Sequence, residues 1–229
     1  MNQKLEFIIP AAASLILMLS GCASLSSNDA GERIKALRRT NDPVVLTKVA
    51  CEDPDSSVRM FAVNKLRDQP SLAKVACEAK DWDVRKAGFN KLEQPQLTEL
   101  ARTAKDPAAV LAARIKLNQE NWTSAFKPGS LDSKGLGNVL GAVALVDSPQ
   151  PSSAAVVSAC HTFIRRGDSS RIPELKDLLM RFGDKPLAED YLNCGNSQLR
   201  AAGESWANSH GYNVGSGYGS HRVRWGEGR

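Results

Sequence analysis

The chain contains the stretch Leu46-Thr47-Lys48-Val49-Ala50-Cys51-Glu52 and repeats it, nearly unchanged, as Leu72-Ala73-Lys74-Val75-Ala76-Cys77-Glu78. A looser third copy follows as Leu97-Thr98-Glu99-Leu100-Ala101, so the copies begin 26 and then 25 residues apart. Self-similarity at a period of about 20–50 residues is typical of stacked repeat units. This stretch therefore predicts the fold, a row of short helical units that pack on one another.

A second block follows each copy and predicts a second helix in every unit. Its three copies are Asp55-Ser56-Ser57-Val58-Arg59, Asp81-Trp82-Asp83-Val84-Arg85 and the degraded Asp106-Pro107-Ala108-Ala109-Val110. Each aspartate is placed to cap the N-terminus of the second helix. One later position is small in every unit, as Ala62, Gly88 and Ala113, and indicates a close approach between helices. Two short helices cannot bury their apolar faces alone, so stacking must supply the core.

The recurring pattern Asp-x-x-Val-Arg-x-x-Ala-x-x-x-Leu resembles HEAT repeats, particularly the short bacterial kind, over roughly residues 34–117. The resemblance implies an all-α, HEAT-like solenoid of short helix pairs over residues 32–126. Residues 34–37 are expected to belong to an N-terminal capping helix.

The sequence after the repeats predicts more helices, followed by a glycine-rich tail that is not helical. Residues 127–211 should form further helices that continue or cap the solenoid. One of them, over residues 136–146, carries a Gly137-x-x-x-Gly141 spacing but is too short to span a membrane and is expected to be buried. Residues 212–229 form a glycine-rich basic tail, which is either a small β-hairpin of residues 212–214 with 221–225 or a disordered end.

The N-terminus has the layout of a secretory signal peptide. Lys4 supplies a positive charge, and residues 7–19 form an almost unbroken apolar run that small residues and a cysteine follow. The run is shorter than the ~20 apolar residues of a typical transmembrane helix. Its ending, Leu19-Ser20-Gly21-Cys22, resembles the lipobox of bacterial lipoproteins. The alternative is an ordinary signal peptide whose cysteine is incidental.

The resemblance to bacterial lipoproteins implies a lipid anchor on Cys22. Residues 1–21 would then be a cleaved signal peptide, and residues 22–31 would be the acylated cysteine and a flexible tether. Ala23 follows Cys22, which in that family favours the outer membrane, facing the periplasm, over retention at the inner membrane. We therefore expect a chain that is held at the bacterial cell envelope, with the membrane as one partner.

The other cysteines divide into two groups. Cys51 and Cys77 occupy the same position in two repeats and are expected to be small buried side chains. Cys160 and Cys194 remain, and in an oxidising compartment they are a candidate disulfide pair. Free thiols at both positions are the alternative.

The charge of the chain sets limits on its partners. The net charge is +5, which is modest and does not indicate nucleic-acid binding.

The exposed side chains of the repeats are the candidate binding surface for a partner protein. Within it we single out Lys48, Lys74, Trp82 and Lys91, although Trp82 is also suited to packing on a neighbouring unit.

The sequence predicts no catalytic, cofactor-binding or metal-binding residues. The three histidines are isolated, and Cys160 and His161 are helical neighbours whose side chains diverge by about 100°. We therefore predict a non-catalytic scaffold, without a cofactor, that binds an envelope protein. One alternative is a protein that binds polyanions, such as lipid head groups or lipopolysaccharide, through the basic repeats and tail. A second alternative is an enzyme in the C-terminal half, over residues 152–229.

Overall fold

The computed structural model describes residues 25–126, 131–147, 150–216 and 223–225, and these residues form short helices followed by one small hairpin. The repeats hold α1 (Ala30–Arg39), α2 (Pro43–Glu52), α3 (Ser56–Lys65), α4 (Gln69–Glu78), α5 (Trp82–Asn90), α6 (Gln94–Thr103) and α7 (Pro107–Lys116). The C-terminal half holds α8 (Trp122–Ala125), α9 (Ser133–Leu145), α10 (Ser153–Arg165), α11 (Ile172–Phe182), α12 (Lys185–Asn193), α13 (Ser197–Ser209), β1 (Val214–Ser216) and β2 (Val223–Trp225).

The repeat units are helix pairs that stack in register. Within each unit the two helices pack along their length, as α2 with α3, α4 with α5 and α6 with α7. Between units, α2, α4 and α6 form one layer, while the second helices form the other layer through contacts of α3 with both α1 and α5. The predicted all-α solenoid of short helix pairs is confirmed.

Aspartate caps and prolines place the start of the repeat helices. The Asp55 side chain accepts hydrogen bonds from the backbone N–H groups of Ser57 and Val58, and Asp81 and Asp106 cap α5 and α7 in the same manner. These caps satisfy N–H groups that have no partner within the helix. Helices α2, α4, α6 and α7 each have a proline in the first turn. The fixed φ angle of proline is compatible with a helix, and the N–H group that proline lacks would have no partner within the helix at this position.

Helix α1 is the first that the structure describes over its full length, and it corresponds to the second helix of a repeat unit. Asp29 and Arg33 precede Asp55 and Arg59 by the repeat spacing of 26 residues, and the Asp29 side chain caps α1. The α1 helix therefore begins before the predicted capping segment at residue 34. The predicted flexible tether over residues 22–31 is also shorter, because Arg33 Nη1 donates to the Ser27 carbonyl oxygen at 2.7 Å.

The C-terminal half continues the stack in a less regular form. The apolar helix α9 packs on α7 and α5 on one side and on α10 and α11 on the other. Helices α10 and α11 then pack on α12 and α13 respectively, and α12 and α13 form a close pair of their own. The prediction that α9 is a buried helix is confirmed, since every residue from Val139 to Leu145 is buried.

The glycine spacing of α9 makes room for large side chains. A Cβ atom added at Gly137 would lie 3.2 Å from the Phe163 ring. One added at Gly141 would lie 2.9 Å from the Ala108 Cβ and 3.0 Å from Arg171 Nη1. The two glycines therefore let α7, α10 and the Arg171 guanidinium approach the α9 backbone closely.

Strands β1 and β2 form an antiparallel pair with Val214 opposite Trp225 and Ser216 opposite Val223. Of the two predictions for the tail, the hairpin is therefore the one that forms, but its strands are Val214–Ser216 and Val223–Trp225 and not the predicted residues 212–214 and 221–225. The predicted signal peptide and Cys22 lie outside the described residues. In the parts of the chain that the structure describes, no helix is long and apolar enough to cross a membrane.

Candidate functional site

The charged residues of the repeat motif bind one another from unit to unit. Arg59 Nη2 lies 2.9 Å from Asp81 Oδ2, and Arg85 Nη2 lies 2.5 Å from Asp106 Oδ2. We call these two pairs, with the Arg33–Asp53 pair at 2.9 Å, the arginine–aspartate ladder. All six side chains are 20 % exposed or less, so the ladder belongs to the internal structure and is not a surface for a partner.

A second ladder joins the C-terminal ends of the second helices. In each unit, a lysine near the end of the second helix donates hydrogen bonds to backbone carbonyl oxygens at the end of the second helix of the unit before it. We call these three residues, Lys65, Lys91 and Lys116, the lysine–carbonyl ladder. Lys91 Nζ donates to the carbonyl oxygens of Val63, Asn64 and Leu66 at 2.9, 2.8 and 2.7 Å. Burial, and to a smaller extent the nearby Arg67, lowers the pKa of the Lys91 ammonium.

Two residues of the predicted binding surface do not belong to it. Lys91 is half-buried because its ammonium group caps the end of α3. Trp82 is only 8 % exposed, and its ring lies 5.7 Å from the Arg85 guanidinium carbon. Its indole Nε1 is buried and has no hydrogen-bond partner among the described residues. Trp82 therefore packs inside the stack, as the alternative interpretation held.

Lys48 and Lys74 do lie on the surface, at equivalent positions of α2 and α4. Both side chains are exposed, and each has a glutamate four residues later, Glu52 or Glu78. Lys74 Nζ lies 4.0 Å from Glu78 Oε2. Because α2 and α4 pack side by side, these positions form one surface. We define it as the first-helix face, formed by Val44, Lys48, Glu52, Pro70, Lys74 and Glu78.

The first-helix face has balanced charge and one prominent apolar group. Its two lysines are matched by two glutamates, and the third unit has Glu99 where the first two have lysine. Val44 is 74 % exposed, which is unusual for a large aliphatic side chain. A row of alternating charges beside an exposed valine suits a protein surface of complementary pattern better than a polyanion.

The candidate disulfide between Cys160 and Cys194 is wrong for this structure, in which both thiols are free. Cys160 is fully buried in the core, whereas Cys194 is only partly buried at the C-terminal end of α12. Cys194 Sγ instead donates to the Tyr191 backbone carbonyl at 3.1 Å. A disulfide would require the two sulfurs to be about 2 Å apart. Burial raises the pKa of the Cys160 thiol to about 12.

Cys51 and Cys77 are half-buried, so the prediction of buried side chains is only partly met. Burial is the main cause that raises the pKa of both thiols. Both cysteines lie near the C-terminal end of a first helix, at equivalent positions of α2 and α4. They have no observed pairing, and their environment disfavours the reactive thiolate form.

A groove of mixed polar and apolar lining beside α10 is, among the described residues of the C-terminal half, the arrangement that comes nearest to a chemical site. His161 Nδ1 lies 2.6 Å from Asp190 Oδ2, and Arg165 Nε lies 2.9 Å from the same oxygen. The groove encloses about 740 Å³ and is lined by Ser158, His161, Thr162, Arg165, Phe182 and Asp184, among others. Sequence reasoning missed this pair, because 29 residues separate its members and no spacing marks them.

Among the described residues, the His161–Asp190 pair has no nucleophile beside it of the kind that covalent catalysis requires. The carboxylate holds the imidazole in one orientation, as a base is held in a catalytic triad. However, no hydroxyl or thiol in the described residues hydrogen-bonds to His161, and the adjacent Cys160 is buried in the core. Thr162 Oγ1 donates instead to the Ser158 carbonyl at 2.9 Å. The pair thus links α10 to α12 beside a groove in which His161 activates no hydroxyl or thiol of the described residues.

The remaining histidines and acidic residues form no further candidate site. His210 Nδ1 lies 2.8 Å from the Trp206 carbonyl oxygen, and its ring stacks on the Trp206 indole at 4.0 Å. Among the described residues, no group of histidine, cysteine, aspartate and glutamate side chains could hold a metal ion. His221 lies outside these residues.

In comparisons with known proteins, no family model, curated protein or solved structure matches the chain.

Proposed function

We propose that this chain is a lipid-anchored protein of the bacterial cell envelope whose solenoid binds a partner protein without catalysis. The anchor would be acyl chains on Cys22, at the end of the lipobox-like stretch of residues 19–22. Two or more acyl chains give lasting membrane attachment where one does not. Ala23 after Cys22 favours the outer membrane, facing the periplasm.

The first-helix face is the observation that carries the scaffold proposal. The charged residues of the repeat motif are bound to one another within the two ladders. In contrast, Lys48 and Lys74 are exposed on a continuous layer of stacked helices. Such layers provide an extended surface, which is how solenoids commonly bind other proteins. The glutamates at positions 52 and 78 favour a partner with both charges over a polyanion.

The test is capture from crosslinked envelopes, using the full chain with an affinity tag at its C-terminus. Wild-type chain should incorporate a palmitate analogue, fractionate with membranes and retain a specific protein. Cys22→Ser should lose the label and the membrane fractionation. Lys48→Glu with Lys74→Glu should keep both but retain at least about fivefold less partner, because two cations of the face become anions.

Controls separate this proposal from its alternatives. Lys176→Glu, an exposed lysine of α11 away from the first-helix face, should capture as wild type does. Equal labelling of wild type and Cys22→Ser would contradict the anchor, and equal capture by the double variant would contradict the face. Retention of lipopolysaccharide in place of a protein would favour the polyanion alternative. Loss of a cellular phenotype in His161→Ala, with capture intact, would favour the enzyme.

A further inference from the structure

The start of the solenoid lies close to the position of the proposed anchor. Arg33 is buried and holds the chain at Ser27, where its Nη1 donates to the carbonyl oxygen at 2.7 Å. The same guanidinium is fixed by Asp53 through two bonds of 2.9 Å. The five residues from Ser27 back to Cys22 can span at most about 17 Å, at ~3.4 Å per residue. A membrane that holds Cys22 therefore lies within about 17 Å of Ser27, which comes two residues before Asp29, the N-cap of α1.

The side of α1 that faces away from the repeats is cationic. Arg33 and Leu37 are buried on the inner side of α1, which packs against α3. The outer side carries Glu32, Lys35, Arg38 and Arg39, all exposed, and we call these four residues the α1 outer face. Its net charge is +2, since three cations outnumber one carboxylate. Lys35 and Glu32 pair at 2.6 Å, and within the described residues neither Arg38 nor Arg39 forms a salt bridge.

A terminal helix of a solenoid needs a polar outer side for solubility, but that requirement does not fix the sign of the charge. The last helix of this stack, α13, meets the requirement with a neutral pair, in which Arg200 Nε lies 3.1 Å from Glu204 Oε1. Of these two end helices, only α1 carries a net positive charge, and it lies at the end that the short tether brings to the membrane. Cations near an anionic bilayer are attracted over a distance comparable to the Debye length, ~10 Å.

We propose that the α1 outer face lies against the anionic phospholipid head groups of the membrane that holds Cys22. The proposal rests on the proposed lipid anchor. The acyl chains supply attachment, and Lys35, Arg38 and Arg39 supply orientation through contacts with lipid phosphates. The solenoid axis then rises from the bilayer with α1 nearest to it, which leaves the first-helix face open to a partner.

The test is lysine footprinting on the full chain purified with its lipid. The chain is reconstituted in phosphatidylcholine vesicles with or without 30 % phosphatidylglycerol and treated briefly with an amine-acetylating reagent. Mass spectrometry then compares Lys35, which is 66 % exposed, with the exposed Lys176 of α11 in the same molecule. We expect at least about fivefold slower acetylation of Lys35 in the anionic vesicles. Lys176 should be unchanged, and about 1 M salt should abolish the difference.

Variants make the cause of the protection explicit. Arg38→Gln with Arg39→Gln should lose most of the protection of Lys35. Arg102→Gln, which removes one exposed cation of α6, should keep it. A chain that sediments with both kinds of vesicle but acetylates Lys35 equally in both would overturn this inference and leave the anchor intact. A chain that sediments with neither, at low salt included, would overturn both.

Discussion

At the scale of single residues, the recurring aspartates and lysines each serve two neighbours. Asp81 Oδ1 accepts the backbone N–H of Asp83 and so caps its own helix, while Oδ2 binds Arg59 of the preceding unit. Lys91 is the cationic counterpart, because its ammonium group meets carbonyl oxygens that lack partners at the end of α3. These side chains recur because they specify how far apart successive units lie.

The lysine–carbonyl ladder predicts that Lys91 contributes to stability and Lys48 does not. Lys91→Met keeps most of the aliphatic stem but removes the ammonium group, so three carbonyl oxygens lose a donor. We expect the free energy of unfolding in urea to fall by about 1.5–3 kcal/mol, the range for hydrogen bonds to a charged group. Lys48→Met, at an exposed position of α2, should stay within ~0.5 kcal/mol of wild type. Equal stability of the two variants would show that the ladder contributes nothing.

At the scale of helices, one small residue in each unit sets the distance between the paired helices. A Cβ atom at Gly88 would lie 3.2 Å from Val75 Cγ1 and 3.3 Å from both the Ala76 nitrogen and the Leu72 carbonyl oxygen. Two of these neighbours are backbone atoms of α4, which cannot rotate away. The equivalent Ala62 and Ala113 are fully buried, so the other pairs are spaced for one methyl group. The close approach that the sequence predicts is therefore confirmed, between helices of the same unit.

Substitutions at Gly88 should consequently depend on side-chain size. Gly88→Leu should lower the free energy of unfolding by about 3 kcal/mol, because the side chain has no space against α4. Gly88→Ala should change it by less than ~1 kcal/mol, since the gain in helix propensity opposes the tight contact. Urea unfolding measures both, with Ala62→Gly as the reverse control, which loses helix propensity and a buried methyl group and should therefore be less stable than wild type. A leucine variant as stable as wild type would place position 88 in solvent.

The same elements show what the sequence alone could establish. Helices α2 to α7 were predictable because their leucines, caps and small residues recur at a fixed spacing. The lysine–carbonyl ladder also recurs in the sequence, because Lys65, Lys91 and Lys116 lie 26 and 25 residues apart. Its hydrogen bonds were not predictable, because the spacing of the lysines does not specify the direction of their ammonium groups. The His161–Asp190 pair and the free thiols of Cys160 and Cys194 depend on the irregular packing of α10 and α12. No periodicity encodes that packing.

At the scale of the whole molecule, charged contacts join the repeats to the C-terminal half. Lys86 of α5 lies 3.2 Å from Asp177 of α11 and 3.4 Å from Asp147, which follows α9. Arg181 Nη1 binds Asp177 at 2.8 Å, and its Nη2 donates to the Val146 carbonyl oxygen at 3.2 Å. The apolar helix α9 lies between the two halves and contacts both. The stack should therefore unfold as one cooperative unit.

Lys86 tests that cooperativity, because it is the cation of the repeats that both aspartates share. Lys86→Met leaves Asp147 without this partner and Asp177 with Arg181 alone, and the side chains of Lys86 and Asp177 are each only 19 % exposed. We expect a loss of about 1–2 kcal/mol, between the values for exposed and buried pairs. Amide hydrogen exchange should accelerate in α9 and α11 but not in α2, so that the halves begin to open separately. Lys176→Met, beside Asp177 in sequence but exposed, is the matched control and should leave exchange unchanged. Uniform acceleration in all three helices would instead mean that the halves stay coupled through α9 without the charge of Lys86.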